Sequence, residues 1–403
     1  MLLFLVIPLL FVTGTESSAP LLQTEDIIPG QYIVKIKSHD LVSEFREKMA
    51  EQSLKSMQSY GGIGHVKLLF SLEADPTVLV FELDYKSLTL VLSHPAVDYV
   101  EEDGTNQPDD DIIEHPDTYL QTQPPSNWGL DRINQEESTL DRNVSFFGNG
   151  FGVNIYVIDS GINDLHRDFE CRALKAFDVF GSDGRDCKGH GTQVAGVAAS
   201  KTWGVAKAAS IHSVRTLDCR GIGRTSDMAA AIDWVTANAK APCVATLSFS
   251  RKTSSLTIDN AVKGLAESGC LPVAAGTNNV QEVASDFNAC TRSPARSPYA
   301  ITVGAIAWSN DEKASFTRFG VCLDIFAPGH FIRTTSSDGN YVTASGTSLA
   351  VPFVAGVAAL HLASGMSTQD VRKRILEDAI ICTIPDAGKG SPNRLLYTEP
   401  GAY

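Results

Sequence analysis

Apolar and polar residues alternate in the first quarter of the chain with the periods of short strands and of two helices. Period-two alternation or short apolar runs mark four predicted strands, at residues 30–37, 68–72, 78–83 and 96–103. Helical spacing of apolar residues marks two further segments, 41–57 and 86–93. Because one sheet packed by two helices is a stable small unit, residues 30–103 are predicted to form a compact α+β domain.

The next stretch, residues 104–127, has no such pattern. It is rich in aspartate and proline, including the run Asp109, Asp110 and Asp111. Composition of this kind is typical of an exposed linker, and exposed linkers are preferred sites of proteolysis.

From Trp128 onward, short apolar strands alternate with helical segments. Predicted strands lie at 153–159, 211–217, 244–249, 271–275 and 300–306. Predicted helices lie at 190–200, 225–240, 256–268 and 347–364. This alternation predicts an α/β domain with a mostly parallel sheet between two layers of helices.

The amino terminus begins with fourteen uncharged, mostly apolar residues, and small residues follow. The run is too short to span a bilayer comfortably, so residues 1–19 are predicted to be a secretory signal peptide. A buried N-terminal strand is the alternative. No other segment has the composition of a membrane span, and we expect a secreted, extracellular protein with no membrane partner.

Charge is unevenly distributed. The chain has a formal net charge of −14, and residues 20–120 alone hold 19 acidic and 7 basic residues. The rest is nearly neutral, so no basic field for nucleic acid exists.

Cysteine usage fits an oxidising compartment. All eight cysteines lie between Cys171 and Cys382, and no C-x-x-C pair occurs. An even number in a chain with a signal peptide favours disulfides over a metal cluster. Asn143 begins a sequon for N-glycosylation.

Three short motifs carry candidate chemistry. Asp159 closes an apolar strand, His190 lies between two glycines before an apolar helix, and Ser348 opens a long helix. Each alone is explained as readily by a turn, a loop residue or a helix cap. The order Asp, His, Ser is the one found in subtilisin, and together the three are predicted to form a catalytic triad.

These residue types suit acyl transfer. A serine hydroxyl is too weakly acidic to attack a peptide carbonyl unaided, so His190 would accept its proton and return it to the leaving amine. Asp159 would fix the imidazole tautomer and stabilise the imidazolium. Ser348 at a helix start would aim its backbone N–H at the developing oxyanion.

The chain from Trp128 to Tyr397 resembles the proteinase K branch of the subtilisin-like serine proteases, and aqualysin-type enzymes most closely. The likeness is carried by 128–133, 156–162, 187–197, 293–296, 324–329, 345–360 and 391–397. Residues 30–103 resemble the inhibitory propeptide of that family. The resemblance implies a subtilisin-like serine endopeptidase acting on polypeptides, inhibited by its own propeptide, without an organic cofactor and as a monomer.

The resemblance also implies roles for individual residues. Substrate would lie between two extended segments, Gly221, Ile222, Gly223 and Ser248, Phe249, Ser250, and an S1 pocket would be lined by Ala274, Ala275, Gly276.

A structural calcium ion would be bound by Pro298, Ala300 and Asp324. Disulfides would join Cys187 to Cys219 and Cys290 to Cys322. The pairing of Cys171, Cys243, Cys270 and Cys382 stays open, including the possibility of buried thiols.

Processing is expected at Leu120–Gln121, because aqualysin-type mature chains begin seven residues before the Trp-Gly-Leu motif at Trp128. The precursor would then consist of a signal peptide (1–19), a propeptide (20–120, with 104–120 as its acidic linker) and a catalytic domain (121–403).

Several residues depart from the family pattern. The position of the family's oxyanion asparagine holds Thr277, with Asn278 directly after it, and either residue is a candidate for that role. Ser250 and Arg251 replace two glycines of the substrate strand. Gln193 and Phe353 replace family histidines and are interpreted as packing changes. These departures leave an alternative open, a catalytically impaired homologue that acts as a secreted binding module.

Overall fold

A computed structural model describes residues 18–58, 65–108, 112–113, 128–279, 287–308 and 310–400. It divides into two compact units. The smaller contains residues before Thr24 together with Pro29–Ser71 and Pro76–Glu102, and the larger contains Thr24–Ile28, Leu72–Asp75 and the chain from Asp103 onward. Among the described residues, no helix is long and apolar enough to cross a membrane.

The smaller unit is a sheet with two helices. Its strands are β1 (Leu21–Leu22), β2 (Ile27–Ile36), β3 (Val66–Ser71), β4 (Val78–Leu83) and β5 (Val97–Pro108), and its helices are α1 (Val42–Gln58) and α2 (Tyr85–Leu92). The first two residues of β2 and the part of β5 from Asp103 onward belong to the larger unit. The strand order is β1-β5-β2-β4-β3. Phe45 of α1 and Val91 of α2 are fully buried with Phe81 of β4 in one apolar cluster, which accounts for the helical spacing seen in the sequence.

The larger unit carries the remaining elements. Its strands are β6 (Ile112–Ile113), β7 (Asn154–Asp159), β8 (Ala173–Asp178), β9 (Ser210–Arg215), β10 (Gly223–Arg224), β11 (Cys243–Leu247), β12 (Phe249–Ser250), β13 (Cys270–Ala275), β14 (Ile301–Ile306), β15 (Ile325–Pro328), β16 (Ile332–Thr335), β17 (Tyr341–Ser345), β18 (Ile380–Ile381) and β19 (Arg394–Leu395). Its helices are α3 (Trp128–Ile133), α4 (His190–Ala199), α5 (Thr225–Asn238), α6 (Leu256–Glu267), α7 (Thr347–Ala363) and α8 (Thr368–Asp378).

The main sheet has nine strands in the order β18-β19-β15-β14-β13-β11-β7-β9-β8. All neighbours pair in parallel except β18 and β19. Helices α4 and α7 pack together, and α5 and α6 pack together, each pair against the sheet. The predicted three-layer α/β architecture is therefore confirmed.

The centre of the sheet determines where polar side chains collect. Strands β7 and β11 are adjacent and parallel, with Ile158 opposite Leu247, so Asp159 and Ser248 follow at the same carboxyl edge. Helix α7 is buried over nearly its whole length, which explains why its sequence is apolar on every side. In an open parallel sheet, the carboxyl edge is where ligands bind.

Strand β5 is longer than the sequence predicts. The sequence pattern places its end at residue 103, yet β5 continues to Pro108 through the first part of the predicted linker. The reason is a set of strand pairings made by Thr105–Pro108, which the sequence pattern of that segment does not disclose. The predicted signal peptide, apart from residues 18 and 19, and the predicted processing site at Leu120 and Gln121 lie outside the described residues.

Candidate active site

Asp159 and His190 form a buried hydrogen-bonded pair. Asp159 is fully buried, and its two carboxylate oxygens lie 2.8 and 2.9 Å from Nδ1 of His190. The backbone N–H of Ser160 also donates to Oδ1, at 2.6 Å. Because a carboxylate can only accept, Nδ1 of His190 carries a proton and a neutral ring keeps a lone pair on Nε2, the form that a general base requires.

Two glycines allow His190 to lie this close to Asp159. Gly189, the N-cap of α4, has φ of 97°, a left-handed conformation that other residues rarely adopt. A Cβ added at Gly191 would lie 2.1 Å from the carbonyl oxygen of Gly161 and 3.1 Å from Cβ of Asp159. The glycines that flank His190 in the sequence are therefore required by its contact with the strand end.

A second buried carboxylate, Asp186, holds the start of α4, and no sequence motif pointed to it. It accepts hydrogen bonds from the backbone N–H groups of Gly189 and Thr192, at 2.7 and 2.9 Å, and from the hydroxyl of Ser160 at 2.9 Å. Burial raises the pKa of Asp186, and these hydrogen bonds oppose that rise. Asp186 thus ties the residue after Asp159 to the loop that carries His190.

Ser348 is the second residue of α7 and is fully buried. Pro352 lies inside this helix and has no N–H, so the Ser348 carbonyl cannot accept the usual hydrogen bond from four residues onward. The hydroxyl of Ser248 donates to that carbonyl instead, at 3.1 Å. Since Ser248 and Asp159 end neighbouring strands, this bond brings Ser348 to the edge where His190 meets Asp159.

Asn278 is also attached to the start of α7. Its Oδ1 accepts from the backbone N–H of Thr347 at 3.0 Å and from the Thr347 hydroxyl at 2.9 Å. These donors fix the orientation of the amide, and among the described residues Nδ2 has no hydrogen-bond partner. An amide N–H is therefore available directly beside Ser348.

Thr277 has a different environment. It has φ of 69°, an unusual conformation for a β-branched residue, and its buried hydroxyl has no partner in the described part of the chain. Its backbone carbonyl accepts from the N–H of Arg318 at 3.1 Å. The left-handed turn at Thr277 brings the following residue, Asn278, to the helix start.

The two expected substrate segments lie on either side of one extended piece of this chain. Gly223 and Arg224 pair antiparallel with Asn106 and Thr105. On the other side, Phe249 and Ser250 pair antiparallel with Pro108 and Gln107, and Ser248 precedes them. Gly221 and Ile222 lead into the first pairing, so all six expected residues belong to these two edges. The cleft between β10 and β12 thus holds a polypeptide as a third strand.

The residues expected to line the S1 pocket end the neighbouring strand. Ala274 and Ala275 are the last residues of β13 and are fully buried, and Gly276 follows. A Cβ added at Gly276 would lie 2.8 Å from the carbonyl oxygen of Val303, so no larger residue fits there.

Polar contacts at the start of α5 hold the segment that enters the cleft. Asp103 accepts from the backbone N–H and the hydroxyl of Ser226, at 3.1 and 2.6 Å. The amide of Asn106 donates to the Thr225 hydroxyl at 3.0 Å. An acidic side chain at a helix N-terminus is favourable, although burial raises the pKa of Asp103 to about 6 against hydrogen bonds from Ser226 that lower it.

A second contact of the same helix involves Asp233. Its carboxylate accepts from the backbone N–H groups of Glu73, Ala74 and Asp75, at 2.5, 2.8 and 3.0 Å. Burial raises its pKa while these three hydrogen bonds lower it. Three aligned donors on one buried carboxylate fix the loop 72–75, a contact that neither local sequence discloses.

The residues expected to bind calcium are held by an arginine. Nη1 of Arg372 donates to the carbonyl oxygen of Ala300 at 2.8 Å, and Nη2 lies 3.4 Å from each carboxylate oxygen of Asp324. As they stand, Pro298, Ala300 and Asp324 do not fit a calcium ion, because a guanidinium already engages the carbonyl and carboxylate. Elsewhere in the described chain, no cluster of three or more His, Cys, Asp or Glu suits a metal.

Six cysteines form three disulfides. Cys187 pairs with Cys219 and Cys290 with Cys322, the pairings that the resemblance implies. Cys243 pairs with Cys270, and these residues begin β11 and β13 directly opposite one another. Cys171 and Cys382 are exposed free thiols, so neither is the buried thiol that the sequence left possible.

The sequence also singled out Asn143, Phe353 and Gln193, and none of them takes part in the hydrogen bonds described above. Asn143 is exposed in a loop, as a glycosylation acceptor must be. Phe353 is buried in the main apolar cluster, and a Cβ on Gly129 would lie 2.5 Å from its ring. Gln193 is buried in α4. Both substitutions are at packed positions.

Comparisons with known proteins find similar chains among serine proteases. A model of the subtilase family matches residues 150–396. The chain is 36% identical to alkaline serine exoprotease A of Vibrio alginolyticus, over 94% of this chain and 69% of that protein. It is 35% identical to an extracellular serine proteinase of Thermus sp. strain Rt41A, over 98% of both chains. The crystal structure of a cold-adapted subtilisin-like serine proteinase is 41% identical, with a TM-score of 0.64, and covers 67% of this chain and 97% of that one.

Proposed function

Because this chain belongs to the subtilase family of serine-type endopeptidases, we propose that it hydrolyses polypeptides with Asp159, His190 and Ser348, after secretion as a self-processed zymogen. The observation that carries the proposal is that Asp159 and Ser248 lie at the ends of two adjacent parallel strands, at the same edge of the sheet. Asp159 bonds to Nδ1 of His190 at 2.8 Å, and Ser248 bonds to the Ser348 carbonyl at 3.1 Å, from adjacent parallel strands.

In the proposed mechanism, the Ser348 hydroxyl attacks the substrate carbonyl while Nε2 of His190 accepts its proton. The imidazolium that forms is stabilised by the buried carboxylate of Asp159, and His190 then protonates the leaving amine. Water attacks the acyl-enzyme in the second half, and its proton follows the same route.

The tetrahedral intermediate carries negative charge on the former carbonyl oxygen. We assign its stabilisation to Nδ2 of Asn278 and to the backbone N–H of Ser348 at the start of α7. The hydrogen bonds from Thr347 orient the Asn278 amide for this role. Thr277 supports the turn and is not assigned a donor role.

Substrate is proposed to bind as an added strand between Gly221–Gly223 and Ser248–Ser250, with its P1 side chain against Ala274, Ala275 and Gly276. The pairing of Thr105–Pro108 with both edges supports this binding mode. By the same pairing, the cleaved propeptide is proposed to stay bound and inhibit, with Thr105–Pro108 as a strand in the cleft that Asp103 and Asn106 help to hold.

The precursor organisation inferred from the sequence is retained as part of the proposal. It comprises a signal peptide over 1–19, a propeptide over 20–120 and a mature domain that begins at Gln121. The Thermus relative, which is named as an extracellular proteinase, supports secretion. We further propose glycosylation at Asn143 and action as a monomer.

In place of a calcium ion, we propose that Arg372 supplies the positive charge for Asp324 and the Ala300 carbonyl. Its contacts at 2.8 and 3.4 Å support this assignment. Burial raises the pKa of Asp324, and the positive charge of Arg372 lowers it. A bound calcium ion would lower the pKa in the same way.

The alternative of a catalytically impaired binding module was based on several departures from the family pattern, Thr277 and the substrate strand at Ser250 and Arg251 among them. The hydrogen bonds that hold Asn278 beside Ser348 support an oxyanion donor and so favour the protease. A fluorophosphonate probe separates the two functions: it should label the wild-type mature protein and leave Ser348→Ala unlabelled. A folded protein that takes up no probe and cleaves no peptide would support the binding module instead.

A further inference from the structure

The polypeptide that passes through the cleft also pairs with β17, downstream of its pairing with β12. Ile112 and Ile113 of β6 pair antiparallel with Ser345 and Ala344 of β17. β17 ends at Ser345, three residues before Ser348, and its other side pairs with β16. A polypeptide that follows this path is therefore an added strand on the free edge of the β16–β17 hairpin.

The register of this small sheet determines which side chains share a face. Arg333 of β16 lies directly opposite Thr343 of β17. Ile112 lies opposite Ser345, so in the same antiparallel register a polypeptide residue two positions further along lies opposite Thr343. Directly opposite side chains in antiparallel strands lie on the same face. Arg333, Thr343 and that polypeptide residue therefore form one row across the sheet.

Tyr341, at the other end of β17, has two guanidinium groups over its ring. Cζ of Arg167 lies 5.3 Å from the ring centroid, and Cζ of Arg333 lies 6.0 Å from it. The hydroxyl of Tyr341 donates to Asp168 at 3.0 Å, which fixes the ring. A contact of this kind positions an arginine without neutralising its charge.

Neither arginine forms an ion pair within the described part of the chain. Nη1 of Arg333 lies 3.5 Å from the hydroxyl oxygen of Thr343, and Arg333 is half-buried while Arg167 is exposed. The carboxylate of Asp168 accepts from the backbone N–H and the hydroxyl of Thr202, at 3.0 and 2.8 Å. Two positive charges thus lie beside β17 without a carboxylate bonded to either of them.

Chain length relates this row to the bond that is cut. The three residues from Ser345 to Ser348 span at most about 10 Å, so the substrate residue that pairs with Ser345 follows the cleaved bond by one to about three residues. The residue opposite Thr343 is two further on, at P3′ to P5′. Its backbone lies two strand spacings, about 9.6 Å, from that of Arg333. A long acidic side chain and an arginine can meet over the small side chain of Thr343 between them.

We propose that the enzyme selects an acidic side chain at this primed position and that Arg333 recognises it, with Arg167 adding to the positive field. This inference rests on the proposed protease function. A guanidinium forms stronger hydrogen bonds with a carboxylate than with a neutral amide. Because the two arginines are half-buried and exposed, solvent screens the interaction, so the selectivity is modest and weakens as salt is added.

Peptides that differ at one primed position test the specificity of the wild-type mature enzyme. All share the residues before the cleaved bond and carry alanine after it, with a single Glu or Gln at each position from P2′ to P6′. At one position between P3′ and P5′, Glu should exceed Gln by about 5-fold in kcat/KM, and elsewhere by less than about 2-fold. The ratio should fall toward one at high salt. A ratio near one at every position overturns the proposal.

Substitutions assign the preference to one side chain. Arg333→Gln should bring the ratio of Glu to Gln substrates to about one, and Arg333→Lys should keep part of it. The matched control is Arg220, which is exposed and pairs with Asp218 at 2.9 Å beside the opposite edge of the cleft. Arg220→Gln should leave the ratio unchanged. If it lowers the ratio as much as Arg333→Gln does, the preference comes from the general field and the assignment to Arg333 is overturned.

A substrate without primed residues separates recognition from a structural role. Arg333→Gln should cleave a peptide p-nitroanilide, and react with the fluorophosphonate probe, at the wild-type rate. An equal loss on the anilide and on the Glu peptide would show that Arg333 only supports the fold, which also overturns the assignment while leaving the protease function intact. No cleavage of any peptide by the wild type, together with no labelling by the probe, means that the protease function itself has failed.

Discussion

The side-chain oxygen of Asn278 accepts two hydrogen bonds from Thr347, from its backbone N–H at 3.0 Å and from its hydroxyl at 2.9 Å. Thr347 is the first residue of α7 and Ser348 is the second. The oxygen of the amide is thereby committed to the helix start, and the NH₂ group remains for an oxyanion formed on Ser348.

Removal of this donor should slow catalysis without affecting binding. We expect Asn278→Ala to lower kcat by about 10²–10³ with little change in KM, because the lost hydrogen bond forms only in the transition state. That magnitude is the loss known for subtilisin itself when its oxyanion asparagine is removed. Thr277→Asn is the matched control and should not raise kcat. A gain in kcat from Thr277→Asn would transfer the role to position 277.

The bond between Ser248 and the Ser348 carbonyl predicts a rescue experiment. Ser248→Ala removes the hydrogen bond from the Ser248 hydroxyl to a buried carbonyl, which should lower the free energy of unfolding by about 1–3 kcal/mol. Pro352→Ala supplies the missing N–H of the helix, so the double variant should recover most of the loss. Both single variants and the double variant are made in the Ser348→Ala background, so that the protein cannot digest itself. Denaturant unfolding then measures the free energies of this double-mutant cycle. Additive losses in the double variant would contradict this account of Pro352.

Arg372 predicts how stability responds to calcium. A chelator should leave the Tm of the wild-type protein unchanged, because the Ala300 carbonyl and the Asp324 carboxylate are held by a guanidinium. Arg372→Ala should lower Tm, and added Ca²⁺ should restore part of it by binding the vacated oxygens. Arg374→Ala removes an arginine from the same helix and should show no response to Ca²⁺. A lower wild-type Tm in chelator would reinstate the calcium site.

The pKa of Asp103 predicts that the cleaved propeptide is released more readily as pH rises. Burial raises this pKa to about 6 in the bound state, against about 3.9 for a free aspartate. The bound state therefore takes up a proton between these values, and binding strengthens as pH falls through 6. From pH 7 to pH 5 the affinity should rise about 10-fold through this group alone.

Propeptide affinity for the Ser348→Ala mature domain, measured across that pH range, checks the prediction. Asp103→Asn should flatten the pH dependence, since the variant group does not titrate. Asp98→Asn removes an exposed carboxylate from the same strand and should leave it intact. Tighter binding at pH 7 than at pH 5 would reverse the assigned direction.

The sequence contained enough to predict the centre of the main sheet. Strand and helix periods located the central elements within one or two residues, because their apolar faces are buried in one core. The positions of Asp159, His190 and Ser348 at element ends could be read directly, since each follows or opens a strongly apolar segment.

Other features depend on contacts between distant residues. Arg372 and Asp324 are 48 residues apart, and nothing in either local pattern indicates their pairing. The choice between Thr277 and Asn278 depends on one left-handed residue in a loop. The disulfide between Cys243 and Cys270 could have been suggested, because each cysteine precedes a predicted parallel strand, but only the strand register shows that they are opposite.

The most direct test of the account is the mass of the secreted chain, compared between the wild-type precursor and Ser348→Ala expressed in the same cells. The wild type should appear as a cut propeptide that co-purifies with the mature domain, and Ser348→Ala should appear as one uncut proprotein. Identical cutting in both forms would show that Ser348 is not the nucleophile that processes this chain, and the central claim would be contradicted.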